Sequence, residues 1–145
     1  MAKITIQSIN KPFLFAAILS LIAALIRTWD GEFGPLMIVR ESTLPEAVVG
    51  FFYLTWYTVT IVFVLTSATF GYFGLNKGLP GTRTAGMVLG ILFLAWSLTV
   101  AIVSSFFVWH SGTIIPMIVM LLIGVFGIIG AGAEVSLTGD TCGGD

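Results

Sequence analysis

VVGFFYLTWYTVTIVFVLTSATFGYF, residues 48–73, decides the fold. The stretch carries no charged residue, and at ~1.5 Å per residue a helix of this length crosses a hydrocarbon core of ~30 Å. Tyr53, Trp56, Tyr57 and Thr60 fall at i, i+3, i+4 and i+7, so they share one helical face, and Ser67 continues that face two turns on. A helix facing only lipid needs no such stripe. The sequence therefore presents this helix as the one around which the others pack.

Composition agrees with a membrane solvent. The chain has 145 residues, 57% hydrophobic and 9% charged, with a mean hydropathy of +1.07. Soluble domains carry roughly 25% charged residues, and a surface this poor in charge aggregates in water. The length suits one domain. The net charge of −1, with no basic run, argues against a nucleic-acid partner. Cys142 is alone, so it makes neither an internal disulfide nor a cysteine-rich metal site.

Outward from residues 48–73, three further apolar stretches appear. Residues 1–11 form a short N-terminal arm with Lys3 and Lys11. A first helix is expected over 12–28, with Pro12 in its first turn and Ala16, Ser20 and Ala24 spaced four apart as a small-residue face. Lacking a small-x-small cleavage site, it reads as a retained span rather than a secretory signal. Arg27 sits at its end, placed to snorkel. Residues 29–44 are expected as an external loop holding Asp30, Glu32, Arg40 and Glu41. Its apolar piece, Phe33 to Val39, is too short to span and is expected at the interface or folded over the helix ends.

The second helix is placed at 45–73, with Ser42 or Thr43 as cap and Glu46 in the first turn. The third helix, 85–109, has Gly86 and Gly90 four apart. The fourth, 113–133, has Pro116 in its first turn and the pair Gly127 and Ala131. Residues 134–145 read as a flexible tail. The fold expected is all-α, a four-helix antiparallel transmembrane bundle, because short connections force neighbouring helices to run antiparallel.

Orientation follows lysine and arginine. Lys3, Lys11, Lys77 and Arg83 share the side of the termini, whereas Arg27 and Arg40 lie on the other. This places both termini in the cytoplasm of a multi-pass cell-membrane protein.

Three groups of residues are candidates for function. The stripe Tyr53, Trp56, Tyr57, Thr60 and Ser67 either lines a ligand pocket or serves helix packing. Arg40 with Glu41, Glu46 and Asp30 forms either a loop salt bridge or a lipid-headgroup contact. His110 beside Trp109 suits an interfacial turn and has no second ligand for a metal. The apolar interiors of the spans carry no Asp, Glu, Lys, Arg or His, which argues against ion coupling and proton relay. His110 is the only histidine, which excludes paired intramembrane haem ligands. No hydrolase or phosphate-loop motif occurs. No cofactor, metal or catalytic residue is therefore expected, and the chain reads as a non-enzyme.

The succession of a short first span, the loop GPLMIVRESTLP and the aromatic span with LTWYTVT resembles an uncharacterised group of small four-helix bacterial integral membrane proteins. In that group a proline–leucine–arginine loop precedes a tryptophan–histidine pair on the second helix. The matching positions here are Pro35, Arg40 and Trp56–Tyr57, with Tyr57 where histidine is expected. The resemblance implies a bacterial inner membrane and no particular activity. The leading expectation is an accessory subunit that packs with itself or a larger complex among membrane lipids, motivated by the small-residue faces. The other is binding or permeation of a small apolar or lipid-like molecule between the helices. An enzyme built at the outer face from His110, Arg40 and the loop acids is a distant third.

Overall fold

The structure is a computed structural model and describes residues 9–107 and 111–133. His110, Cys142 and residues 134–145, together with most of the N-terminal arm, lie outside the described residues. The chain is all-α: α1 Lys11–Phe33, α2 Pro35–Arg40, α3 Glu46–Leu75, α4 Thr82–Phe107 and α5 Ser111–Ala133. Four helical stretches are long and apolar enough to cross a membrane: Lys11–Arg40, Glu46–Leu75, Thr82–Ser105 and Ile114–Ala133. Helices are the form such sequences take because lipid offers no partner to an unpaired backbone N–H or C=O. The protein is a four-helix antiparallel bundle with the makeup of a multi-pass membrane protein.

The helix limits follow from local chemistry. Asn10 caps α1, its Oδ1 accepting the Phe13 N–H at 3.5 Å, and Pro12 occupies the first turn. The helix does not stop near Thr28 but continues to Phe33. Gly34 ends it because Pro35 disfavours the helical conformation in the residue before it. Pro35 then starts α2, anchored by the fully buried Leu36. The expected external loop 29–44 is consequently mostly helical, which corrects that expectation. Ser42 and Thr43 do not cap α3. Ser42 Oγ donates instead to the Val39 carbonyl at 2.6 Å, and Pro45 stands at the cap position. Gly78 and Gly81 adopt φ of 87° and 84° in the turn between α3 and α4, a left-handed conformation that favours glycine. Because α5 begins at Ser111, Pro116 lies inside it rather than in its first turn, at the cost of one helical hydrogen bond.

Antiparallel register is visible in the partners. Trp56, Ser67 and Gly74 along α3 meet Arg27, Ala17 and Asn10 of α1 in that order. Ser97 Oγ of α4 donates to the Met117 carbonyl of α5 at 3.0 Å, while Gly90 faces Gly124 and Gly86 faces Ala131. Along the α1–α5 seam, Phe15 stacks on Phe126 with centroids 5.6 Å apart. Phe13 is fully buried between Gly86 and Gly130, where any Cβ would overlap its ring.

The helix at the centre is not the expected one. The α3 window is the least buried of the four spans and the α5 window the most. The principal seams are α4–α5 and α1–α3, followed by α1–α5, whereas α3 and α4 touch little despite being consecutive. Small residues explain this. Ala16, Ala17, Ser20 and Ala24 on α1, and Gly124, Gly127, Gly130 and Ala131 on α5, are buried and admit a neighbouring helix closely. By contrast Phe51, Leu54, Ile61 and Leu65 of α3 face outward.

At one end of the bundle a single residue ties three helices. Asn10 donates its backbone N–H to the Gly74 carbonyl of α3 at 3.0 Å and its Nδ2 to the Gly130 carbonyl of α5 at 2.9 Å. The opposite end, where α1 runs into α2, lacks such a clasp among the described residues. There the structure holds its cavities.

Candidate functional site

The site begins with Arg27. Since α1 runs on to Phe33, Arg27 lies within a helix, nearly two turns before its end, and not at a frayed terminus. Its side chain is half-buried against α3, with the guanidinium carbon 3.9 Å from the centroid of the Trp56 ring. Trp56 is held in turn by α1, since its Nε1–H donates to the Arg27 carbonyl at 3.0 Å. One residue thus accepts a hydrogen bond from the indole with its backbone and stacks on the indole with its side chain. Gly31, one turn on, makes room: a Cβ there would overlap the Trp56 indole. This is a packing reason for glycine inside a helix.

A cavity of about 380 Å³ opens beside this pair. α1 contributes Ala23, Ile26, Arg27 and Asp30, α2 contributes Pro35, α3 contributes Trp56 and Phe63, and α5 contributes Ile115, Pro116, Val119 and Met120. Phe63 and Met120 are buried and close the inner wall, whereas Ile26 and Ile115 are 60% and 64% exposed and form lips on the outside of the bundle. The cavity lies where α1 reaches Ile26 and α5 reaches Ile115, away from the close Phe13–Gly130 contact between the same helices. A second space of about 270 Å³ lies on the α2 side of the same residues, lined by Arg27, Pro35, Leu36, Val39, Phe52, Thr55 and Trp56. Arg27, Pro35 and Trp56 therefore separate two apolar spaces.

The electrostatics of Arg27 are unusual. Its Nε is buried with no hydrogen-bond partner. Among the described residues no carboxylate approaches within salt-bridge distance, although Asp30 follows three positions later on the same helix, where ion pairs ordinarily form. A buried donor without a partner costs about 1–3 kcal/mol, and more for a charged group, so such groups call for a specific occupant such as water or an ion.

No family model, curated protein or solved structure matches this chain. Function must therefore be argued from this geometry, and the loop-and-second-helix resemblance adds nothing beyond fold.

The stripe residues divide. Trp56 lines both spaces. Ser67 faces α1 farther along, its Oγ donating to the Ala17 carbonyl at 2.8 Å. Thr60 is buried, but its hydroxyl donates to the Trp56 carbonyl of its own helix at 3.1 Å. Tyr57 is exposed, and its hydroxyl donates to the Glu32 carboxylate of α1. Tyr53 is half-buried, 6.4 Å from Tyr57 between ring centroids. Neither tyrosine lines either of these two spaces, and neither does Thr60 or Ser67.

The loop group is not assembled. Arg40, Glu41, Glu46 and Asp30 are all exposed, and no ion pair joins any of them. Only Asp30 reaches the cavity, at its rim. Among the described residues no three His, Cys, Asp or Glu side chains come together in a way that could hold a metal ion.

Sequence reasoning missed Arg27, Pro35, Val119 and Met120. The available signal was the run Arg27-Thr-Trp-Asp-Gly31. A glycine one turn after an arginine, in a segment able to stay helical, marks a place where a large side chain crosses.

Proposed function

We propose that this membrane protein binds a small apolar or lipid-like molecule in the cavity between α1, α3 and α5. The observation that carries this reading is the cavity of about 380 Å³ with an apolar inner wall, lips of exposed isoleucine, and Arg27 with Trp56 at one edge. The volume falls at the low end of ordinary small-molecule sites, and an apolar pocket with a few placed polar groups is their usual makeup. Ile26 and Ile115 stand at the mouth on apolar helix faces, so a molecule dissolved in lipid reaches the cavity from the side. The reading is of a binder without a catalytic step.

The accessory-subunit reading draws less support. It was motivated by small-residue faces on α1, α4 and α5, and those faces are turned inward: Gly86 and Gly130 enclose Phe13, and Gly90 meets Gly124. The distribution of lysine and arginine supports a cell-membrane orientation with cytoplasmic termini. In that orientation the cavity mouth opens in the outer half of the bilayer.

The test is extraction. Protein purified in a mild neutral detergent is denatured, and released small molecules are quantified by mass spectrometry beside Ala23→Phe, which fills the cavity. One apolar or amphipathic species retained at near-stoichiometric level by the native chain, and lost in monodisperse Ala23→Phe, is the result expected. Equal and trace retention by both proteins would overturn the reading.

A further inference from the structure

We infer that Arg27 is the headgroup anchor of this cavity, so that its ligand is an anionic amphiphile: a carboxylate or phosphate at Arg27 with an apolar chain running toward Phe63 and Met120. The inference rests on the cavity being a binding site and adds the charge class of the ligand.

Four observations converge. First, guanidinium is a permanent cation with five donors, and the buried Arg27 Nε has no hydrogen-bond partner. Second, the guanidinium carbon lies 3.9 Å from the Trp56 ring centroid, a contact that uses no N–H group as a donor, and with Nε buried the terminal N–H edges are the ones left for a ligand. Those edges suit the two oxygens of a carboxylate or phosphate. Third, Ala23, Ile26, Pro35 and Val119 of the lining are apolar, and Asp30 is the one carboxylate that lines the cavity with Arg27. An anion in such surroundings is held more strongly than in water, because screening is weak.

Fourth, the position along the helix suits a headgroup. The residues from Pro12 to Ile26 are uncharged, and Arg27, Thr28, Trp29 and Asp30 follow as the polar boundary, with Trp29 exposed in the manner of an interfacial anchor. Phe63 lies two turns along α3 from Trp56, about 10 Å farther from that boundary at the helical rise. A head at Arg27 with a tail toward Phe63 therefore has the orientation of a lipid in the surrounding leaflet. Asp30, exposed at the rim, opposes an anion weakly and from the water side. Its removal strengthens binding in this account.

The experiment uses the full chain in neutral maltoside micelles, with Trp29, Trp96 and Trp109 replaced by Phe so that Trp56 is the only indole. Bromine-labelled dodecanoate and bromine-labelled dodecanol are titrated separately, and quenching of Trp56 is read. Both quench saturably, and the acid does so at a concentration about tenfold or more below the alcohol, as expected for a charge-assisted hydrogen bond. Arg27→Gln abolishes the difference between acid and alcohol, while Asp30→Asn tightens the acid. Equal affinity of acid and alcohol in the protein with native Arg27 would overturn the anchor while leaving the cavity reading intact. Absence of saturable quenching by either probe would remove both. Dodecyl phosphate competes with the labelled acid, whereas inorganic phosphate alone does not. Full competition by inorganic phosphate would show a free-anion site and overturn the amphiphile assignment. The acid-against-alcohol comparison needs no variant at Arg27, so it stands even where Arg27→Gln fails to fold.

Discussion

Gly90 and Gly124 test the packing that closes the bundle. An added Cβ at Gly90 would lie 2.8 Å from Ile128 Cγ1, 2.9 Å from the Gly124 carbonyl oxygen and 3.0 Å from the Ile128 nitrogen. An added Cβ at Gly124 would lie 2.8 Å from the Gly90 carbonyl oxygen. Ordinary contact begins near 3.4 Å, and each added Cβ meets a backbone carbonyl oxygen of the facing glycine besides the side chain of Ile128 or Leu94, so a rotamer change alone does not relieve the overlap. α4 and α5 must part by about half an ångström, which forfeits up to roughly a quarter of the dispersion well for the atoms lining the seam. Overpacking of this kind costs about 1–3 kcal/mol, and backbone obstruction puts Gly90→Ala and Gly124→Ala in the upper half of that range. A single separation relieves both overlaps, so the double variant should cost clearly less than the sum of the two. The control is Gly50→Ala, also helical, whose Cβ meets nothing within 4 Å. It should be neutral within about 0.5 kcal/mol. The assay is unfolding by sodium dodecyl sulfate in mixed micelles, followed by far-ultraviolet circular dichroism and tryptophan fluorescence. If Gly90→Ala unfolded at the same detergent fraction as Gly50→Ala, the close α4–α5 crossing would be refuted.

Three other substitutions address the remaining seams. Trp56→Phe removes the hydrogen bond to the Arg27 carbonyl and weakens the stack on its guanidinium, and should cost about 1–2 kcal/mol in the same assay. An unchanged midpoint would contradict the contact. Asn10→Ala removes the α1 cap and the bond to the Gly130 carbonyl. It should cost about 1–3 kcal/mol and speed amide exchange in the first turn of α1, with unchanged exchange there counting against the three-helix clasp. Arg40→Gln should shift stability by less than about 0.5 kcal/mol, because Arg40 is exposed and pairs with none of Glu41, Glu46 or Asp30. A larger loss would show a loop ion pair after all.

The four spans were legible because membrane insertion depends on composition, which needs no tertiary information. The charge-free run from Val48 to Phe73 and the long apolar stretches of α1, α4 and α5 suffice for that. Which helix lies inside was not legible from aromatic and hydroxyl decoration. Thr55, Thr58 and Thr69 of α3 bond back to their own helix and need no neighbour. Small residues were the better guide, since Ala16, Ala24, Gly90 and Gly124 mark the close seams.

The site was half legible. Trp56 was singled out for its face, and it does meet α1. Its partner was not, because Arg27 ends an apolar run and so reads as a flank that snorkels to water. Only the continuation of α1 to Phe33, with Gly31 leaving room for the indole, turns Arg27 inward. The loop acids illustrate the opposite case. Charges close in sequence suggest pairing, but exposed side chains gain little from it and here stay apart.

The central claim is that a lipid-derived molecule occupies the space beside Arg27 rather than merely coating the bundle. Photocrosslinking maps this directly. A diazirine-bearing fatty acid is irradiated with the protein in nanodiscs of zwitterionic lipid, and adducts are located by peptide sequencing in the mass spectrometer. The account predicts adducts concentrated on Ala23, Ile26, Phe63, Val119 and Met120 and suppressed by excess unlabelled acid. Adducts spread over the outward face of α3, at Phe51, Leu54, Ile61 and Leu65, and insensitive to competition would contradict it.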